Sequence, residues 1–368
     1  MTAMRVSAKK GPMPATSINI AGREIGPGHP PYVVAEMSGN HNGDIRRAYA
    51  IMEAAKQAGA DAVKLQTYTA DTITIDHDAP EFRITGGLWD GRSLYELYGE
   101  AHTPWEWHRD LFAKGRELGI HVFSAPFDPT AIDFLEELGA PAYKIASFEI
   151  VDLPLIRRAA ATGKPMIIST GMATMPEIEE AVAAARDAGC TALTLLHCVS
   201  GYPTPAEEAN LATIPDLARR FDCPIGLSDH THGIAVAVAG AALGAVVIEK
   251  HLTLARADGG PDSAFSLEPA ELAALVPAVR TAAAALGKAG YDLKPSERGN
   301  TVFRRSLYAV ADIRKGDVFD ERNIRSIRPG FGMAPKHLPA VLGRRATRDI
   351  PRGTPLDSGM VDSNLGPG

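Results

Sequence analysis

Residues Tyr32–Thr67 read YVVAEMSGNHNGDIRRAYAIMEAAKQAGADAVKLQT. A short β-branched apolar run, Tyr32–Met37, is followed by a polar turn and an amphipathic stretch, Asp44–Gly59, that closes on glycine. A second apolar run, Ala62–Thr67, follows. Apolar runs of this length bounded by turn residues read as strands buried on both faces, and glycine is favoured just past a helix end. The stretch is therefore a strand–helix–strand unit with parallel strands.

The unit recurs along the chain. Further strand-like runs are His121–Phe127, Ala142–Ser147, Pro165–Thr170, Leu193–Cys198, Pro224–His230 and Val246–Leu252. Helical stretches such as Met175–Gly189 lie between them, and the closers RELG, EELG, ATGKP and AALGA repeat the glycine turn. Eight strands, each followed by a helix, within roughly 250 residues is the arithmetic of a (β/α)8 barrel. An open doubly wound sheet is the alternative, but no glycine-rich phosphate loop follows the first strand.

The expected class is thus α/β, with a (β/α)8 TIM barrel over residues 32–290. Residues 1–31 form an N-terminal extension with a β-hairpin across Ser17–Pro31, placed to close the N-terminal face of the barrel. Residues 291–303 read as a linker. Over 304–368 the texture becomes that of a small β-rich domain, in which RSLYAVADIRKGDVFDERNIRSIRPGFGM and LGRRATRDIPRGTPL repeat an apolar run, a basic residue, a glycine and another short run. A domain this small often needs a partner surface. The connection Tyr68–Thr103 is long and aromatic (GLWDGRSLYELYGEAHTPWEW), which marks a segment that shapes a site.

A net charge of −6 argues against a nucleic-acid-binding face and leaves room for a small-anion site. Cys190, Cys198 and Cys223 are odd in number and follow no CxxC spacing. That points to a reducing compartment rather than a disulfide framework or zinc ribbon. No apolar run of about 18–20 residues is evident, and no apolar region follows the basic N-terminal stretch MTAMRVSAKKGPMP. The expectation is a cytoplasmic protein with neither nucleic acid nor membrane as partner.

Barrel enzymes place their chemistry at the carboxyl ends of the strands. Lys64 and Lys144 lie inside apolar runs, where a charge is costly unless paired or functional. With Ser147, Ser169 and Ser228 they outline a pocket for phosphate and carboxylate, the lysines as point charges and the hydroxyls as directional donors. His230 and His251 end consecutive strands, about 5 Å apart in strand spacing. Two imidazoles there suit a borderline divalent metal, and each could equally cap a neighbouring loop. Glu36 and Glu149 could each serve as acid, base or ion-pair partner. His197 lies before its strand end and reads as a core histidine as readily as a catalytic one, and His232 reads as a residue at the start of a helix.

Taken in order, VVAEMSGNHNGDIRRA, DAVKLQTYT, PAYKIASFEI, IISTGMA, GLSDHT and VIEKHLTLARADGGPDSAFSLEP resemble the sialic acid synthase family, most of all its pseudaminic acid branch. Residues 304–361 resemble the family's antifreeze-like (SAF) domain. The resemblance implies condensation of phosphoenolpyruvate with an open-chain amino-sugar aldehyde, giving a nine-carbon 2-keto acid and phosphate through C–O cleavage. It implies that Lys64, Lys144, Ser147, Ser169 and Ser228 bind phosphoenolpyruvate. His230 and His251 would hold a divalent metal, Mn²⁺ first, with Mg²⁺ or Co²⁺ as alternatives. Glu36, Gln66, Tyr202 and Asp262 would face the sugar or metal-bound groups, and Glu149 would position the water that attacks C2. Arg328 would reach the sugar from the small domain of a second subunit, in a domain-swapped homodimer.

Two departures bear on the acceptor. Ser200, in HCVSGYP, stands where the sialic acid synthases carry Asn, and the tail GGPDSAFSLEP differs from theirs. Both favour a sugar other than N-acetylmannosamine. The aromatic connection suits a 6-deoxy acceptor, 2,4-diacetamido-2,4,6-trideoxy-L-altrose. Legionaminic and N-acetylneuraminic acid synthases remain alternatives of the same chemistry. A non-catalytic carbohydrate-binding barrel and a class I aldolase using Lys64 or Lys144 as Schiff base are alternatives of another class.

Overall fold

A computed structural model describes residues 17–362. The N-terminal basic stretch read for a targeting signal lies outside the described residues. The chain divides into two compact units between Gly287 and Lys288.

The first unit begins with an antiparallel hairpin, β1 (Ile18–Ile20) and β2 (Arg23–Ile25). Eight parallel strands follow: β3 (Tyr32–Glu36), β4 (Ala62–Thr67), β5 (His121–Pro126), β6 (Tyr143–Ile145), β7 (Met166–Ser169), β8 (Leu193–Cys198), β9 (Ile225–Ser228) and β10 (Val247–His251). They pair in chain order, and β10 pairs with β3 to close the barrel. Each is followed by an outer helix, from Ile45–Gln57 after β3 to Pro269–Leu286 after β10. The α/β (β/α)8 barrel expected from the repeating unit is the fold observed.

Strand side chains alternate between two apolar layers. Residues such as Val33, Val63, Ile168, Leu195 and Ile248 pack outward against the helices. Inside the barrel Tyr32, Val34, Phe123, Ile167, Leu196 and Val247 fill the N-terminal half, and Ile18, Ile20 and Ile25 of the hairpin pack onto them. The hairpin therefore plugs the base, and the inward positions nearer the carboxyl ends are free to be polar.

One correction concerns the outer helix Pro269–Leu286. Its 18 residues have a mean hydropathy of 1.2, long and apolar enough to cross a membrane by length and composition, where no apolar run of that length was expected. The helix buries one face, through Leu272, Leu275, Val276 and Val279, against the barrel. Its outer face is alanine-rich, and its two charged side chains are tied to the same unit: Glu271 to Arg256, and Arg280 to Asp61 at 3.2 Å.

The second unit opens with 3-10 turns over Pro295–Phe303, inside the stretch read as a linker. Strands β11 (Ser306–Ala309) and β12 (Ile324–Ile327) pair antiparallel. Bridges Tyr308–Pro355, Ile313–Ile350 and Val318–Arg345 join the two halves of the repeated pattern. Leu307, Ile313, Phe319, Ile324, Ile350 and Leu356 form its own small core.

Candidate active site

A cavity of about 660 Å³ opens at the carboxyl ends of the barrel strands. Register decides which side chains enter it. In β4 the pleat that buries Lys64 also turns Gln66 inward, and in β10 it turns Glu249 and His251 inward together. Pairing sets Lys64 beside Glu36, Glu36 beside His251, and Glu249 beside Ser228.

The floor is organised around Glu249. Its Oε1 accepts from Lys64 Nζ at 3.0 Å, Lys144 Nζ at 3.3 Å and Ser228 Oγ at 2.9 Å. Lys64 also pairs with Glu36 at 3.2 Å, and Gln66 donates to Glu36 at 2.9 Å. Burial alone would push the Glu249 carboxyl up; Lys144 and Lys64 outweigh it and hold the group well below the usual range. For Lys64, burial is likewise outweighed by Glu249 and Glu36, and the ammonium is stabilised. Burial wins at Lys144, whose pKa is lowered. It also wins at Glu36, pushed up to about 7 against the pull of Lys64. Two ammonium groups thus face one firmly ionised carboxylate and a second that is half-titrated near neutrality. The floor has the chemistry to receive a small anion.

Hydroxyls line the same floor. Ser147 Oγ accepts the Gly171 N–H at 3.2 Å, and the buried Ser169 Oγ has no partner. A Cβ at Gly171 would crowd the hydroxyls of Ser200 and Ser147, so glycine leaves both where they stand. Glu149 enters from the turn after β6. Burial pushes its carboxyl up to about 7, and its Oε2 has no partner. Glu36 Oε1 accepts from Gln66 and its Oε2, without a hydrogen bond, faces Lys64 in an ion pair, whereas Glu149 Oε2 has neither kind of partner among the described residues.

The imidazoles of His230 and His251 lie with ring centroids 5.3 Å apart. His230 Nδ1 bonds the Val199 carbonyl at 3.0 Å, which orients the ring and leaves Nε2 for the cavity. His251 Nδ1 is buried without a hydrogen-bond partner, 3.9 Å from an oxygen of Asp262. Burial, then the neighbouring His230, keeps His251 neutral, the form that ligates metal. Among the described residues no three His, Cys, Asp or Glu side chains form a ligand set. The pair fits an open metal site, two imidazoles with the remaining positions left to water or substrate.

Of the residues singled out from sequence, Glu36, Lys64, Gln66, Lys144, Ser147, Glu149, Ser169, Tyr202, Ser228, His230, His251 and Asp262 all line this one cavity. Arg328 belongs to the second unit, where it is exposed just after β12. Asp229 is no acceptor for either histidine, because it bonds the Thr231 N–H and Lys250. His197 donates to or accepts nothing in the cavity and bonds the Ala209 carbonyl at 2.7 Å. His232 precedes its helix, which begins at Ala235. Glu249 was given no role from sequence. The signal that marks Lys64 and Lys144, a lone charge inside an apolar run, is weaker for it, because Lys250 and His251 follow it in VVIEKHL.

A closed parallel barrel that gathers lysines, carboxylates and two imidazoles in a cavity at its carboxyl face is a (β/α)8-barrel enzyme. Residues 51–291 match the NeuB family and residues 304–362 match the SAF domain. The chain is 46% identical to the pseudaminic acid synthase of Campylobacter jejuni subsp. jejuni serotype O:23/36, over 88% of this chain and 95% of that one. It is 43% identical to the pseudaminic acid synthase of Helicobacter pylori, over 91% and 99%. The solved N-acetylneuraminic acid (sialic acid) synthetase of Leptospira borgpetersenii, in complex with citrate, superimposes with a TM-score of 0.71 at 32% identity. That match covers 78% of this chain and 95% of that one. The protein belongs to the NeuB family, as the resemblance in its motifs implied.

Proposed function

We propose that the protein is a pseudaminic acid synthase, a transferase that condenses phosphoenolpyruvate with 2,4-diacetamido-2,4,6-trideoxy-L-altrose and water. The observation that carries this reading is the division of the cavity into a cationic, hydroxylated floor and an apolar wall from the connection after β4. The higher identity to the pseudaminic acid synthases than to the neuraminic acid enzyme supports the same acceptor.

In this reading Lys64, Lys144, Ser147, Ser169 and Ser228 hold the phosphate and carboxylate of phosphoenolpyruvate on the floor. The π pair of its C2=C3 bond makes the new bond from C3 to the aldehyde carbon of the sugar, leaving C2 electron-poor. The aldehyde π pair moves onto the sugar oxygen, which takes up the proton that the water added at C2 releases through Glu149. Water held by Glu149 adds to C2 and gives its proton to that carboxylate. The C2–O bond to phosphate then breaks, leaving the 2-keto acid and inorganic phosphate. Glu36, Gln66, Tyr202 and Asp262 orient the sugar. His230 and His251 would hold a divalent cation, Mn²⁺ before Mg²⁺ or Co²⁺, which when bound supplies Lewis acidity at the aldehyde oxygen. Arg328 from a second subunit would complete the sugar site of a domain-swapped homodimer. The three buried, free cysteines suit action in the cytoplasm.

The test is phosphate release from phosphoenolpyruvate by the purified protein. The altrose derivative, its legionaminic counterpart and N-acetylmannosamine are offered separately, with Mn²⁺ and then with EDTA. Release with the altrose derivative, lost in EDTA and restored by metal, is the expected result. Release with another sugar alone reassigns the acceptor. No release with any sugar overturns the reading.

A further inference from the structure

The long connection after β4 builds a small structure at the cavity mouth. Ile84 N–H donates to the Arg92 carbonyl and Gly91 N–H to the Ile84 carbonyl, both at 2.9 Å, folding residues 84–92 into a hairpin turn. Gly86 and Gly87 take φ of 79° and 77°, a region side chains disfavour, and Asp90 Oδ1 accepts the Gly86 N–H at 2.5 Å. The tip so formed presents Leu88 and Trp89.

Trp89 is fastened from two sides. Its Nε1–H donates to the Pro261 carbonyl at 2.8 Å, in the loop that carries Asp262. Its ring lies 5.8 Å from that of Tyr202, which in turn lies 4.5 Å from the ring of His230. The indole is thus held at a set distance from the imidazoles, with the Tyr202 ring between it and His230.

This placement bears on the acceptor. The anionic reactant belongs on the cationic floor and the aldehyde beside the imidazoles, so the rest of the sugar extends toward Trp89 and its apolar neighbours Ile84 and Leu88. An indole ring gives a methyl group contact area, and its single N–H is already spent on Pro261. A hydroxymethyl group at that wall would lose its water without a partner.

We propose that Trp89 is a specificity-determining residue, whose indole forms the wall that favours a 6-deoxy sugar over one bearing a hydroxyl at C6. The assignment rests on the synthase reading of the cavity. Its test compares kcat/KM for the altrose derivative and for N-acetylmannosamine in the wild type and in Trp89→Ala, Trp89→Gln and Trp89→Phe, with thermal midpoints as a check on folding. One methyl contact is worth about 10- to 200-fold in selectivity. The preference for the altrose derivative is expected to fall about tenfold or more in Trp89→Ala and in Trp89→Gln, either of which decides the matter if the other fails to fold. The KM for phosphoenolpyruvate should stay within about twofold. Trp89→Phe keeps the apolar wall without the N–H and should hold the preference within about threefold. A wild type that uses the altrose derivative, with the preference unchanged in the folded Ala or Gln variant, overturns the role of Trp89 alone. A wild type active on neither sugar, or preferring N-acetylmannosamine, overturns the synthase reading of the acceptor and this assignment with it.

Discussion

The carboxylate of Asp229 and the ammonium of Lys250 meet at 2.9 Å, both sealed from solvent. Each residue immediately precedes one of the two cavity histidines. Asp229 also accepts the Thr231 N–H at 2.9 Å, and Lys250 donates to the Thr231 carbonyl at 2.6 Å. The pair staples the ends of β9 and β10, so the spacing of His230 and His251 is set from behind the strands.

Breaking that staple leaves a buried charge without a partner. Lys250→Met is expected to cost roughly 3–5 kcal/mol of stability, read from denaturant unfolding. Combining it with Asp229→Asn removes both charges and should recover part of the loss. If the two single effects simply add in the double variant, the two groups are not coupled as the geometry requires.

Lys144 offers the opposite balance. Burial disfavours its charge, and Lys64 still pairs with Glu249 when Lys144 is gone. Lys144→Met should therefore leave the unfolding midpoint unchanged or raised. The KM for phosphoenolpyruvate should rise about tenfold or more, the worth of one charged hydrogen bond, with the sugar KM little changed. A fall in stability without a change in that KM would make Lys144 a structural cation.

How far the sequence reached follows from the range of each signal. The barrel was legible because each strand–helix unit carries its own apolar period and glycine stop, all within a few tens of residues. Lys64 and Lys144 stood out because each is a lone charge in an apolar run. Glu249 did not, since in VVIEKHL it is followed by two more polar residues, and only the pleat separates Glu249 and His251, facing in, from Lys250. The Asp229–Lys250 pair and the reach of Trp89 to Pro261 depend on register and loop closure between distant residues, which no local pattern encodes. The helix Pro269–Leu286 is legible as the last barrel helix, but its hydropathy is not, because alanine lowers polarity across its outer face without forming an evident apolar run.

Glu149 predicts a pH dependence with a definite sign. Burial pushes its carboxyl up to about 7 in the folded chain, from about 4.5 for an unperturbed carboxyl. A raised carboxyl means the native state binds the proton more tightly than the unfolded state, so stability falls as pH rises from about 4.5 through 7 and is level above. Glu149→Gln keeps a neutral side chain and should flatten that fall, gaining roughly 3 kcal/mol at pH 8 relative to the wild type. Turnover should be lost in the same variant, and the wild-type rate should climb through pH 7 as the carboxylate forms. A stability profile identical in the two proteins would show that the carboxyl is not held protonated by its site.

The imidazole pair is open to a test that needs no substrate. Mn²⁺ at a hundredfold excess over its Kd should raise wild-type stability by about 2.7 kcal/mol, seen as an upward shift of the thermal midpoint. His230→Ala and His251→Ala should each lose that shift. Because His251 Nδ1 has no hydrogen-bond partner, His251→Ala should keep a metal-free midpoint near that of the wild type. A metal-induced shift that survives in both variants would place the cation elsewhere.

Arg328 separates a shared site from a private one. Arg328→Ala damages only the second unit, and Lys64→Met only the barrel. In a domain-swapped dimer, a mixed pair of these variants holds one intact site, made of the barrel of the first and the Arg328 of the second. Mixing the two inactive proteins in equal amounts with subunit exchange should therefore restore about one quarter of wild-type turnover, since half the dimers are mixed and half of their sites are whole. If Arg328 serves the barrel of its own chain, every site in the mixture carries a lesion and no activity returns. A mixture that exchanges subunits, as shown by a tagged copy in the dimer fraction, yet stays inactive would assign Arg328 to the site of its own chain, and an Arg328→Ala protein as active as the wild type would assign it to no site.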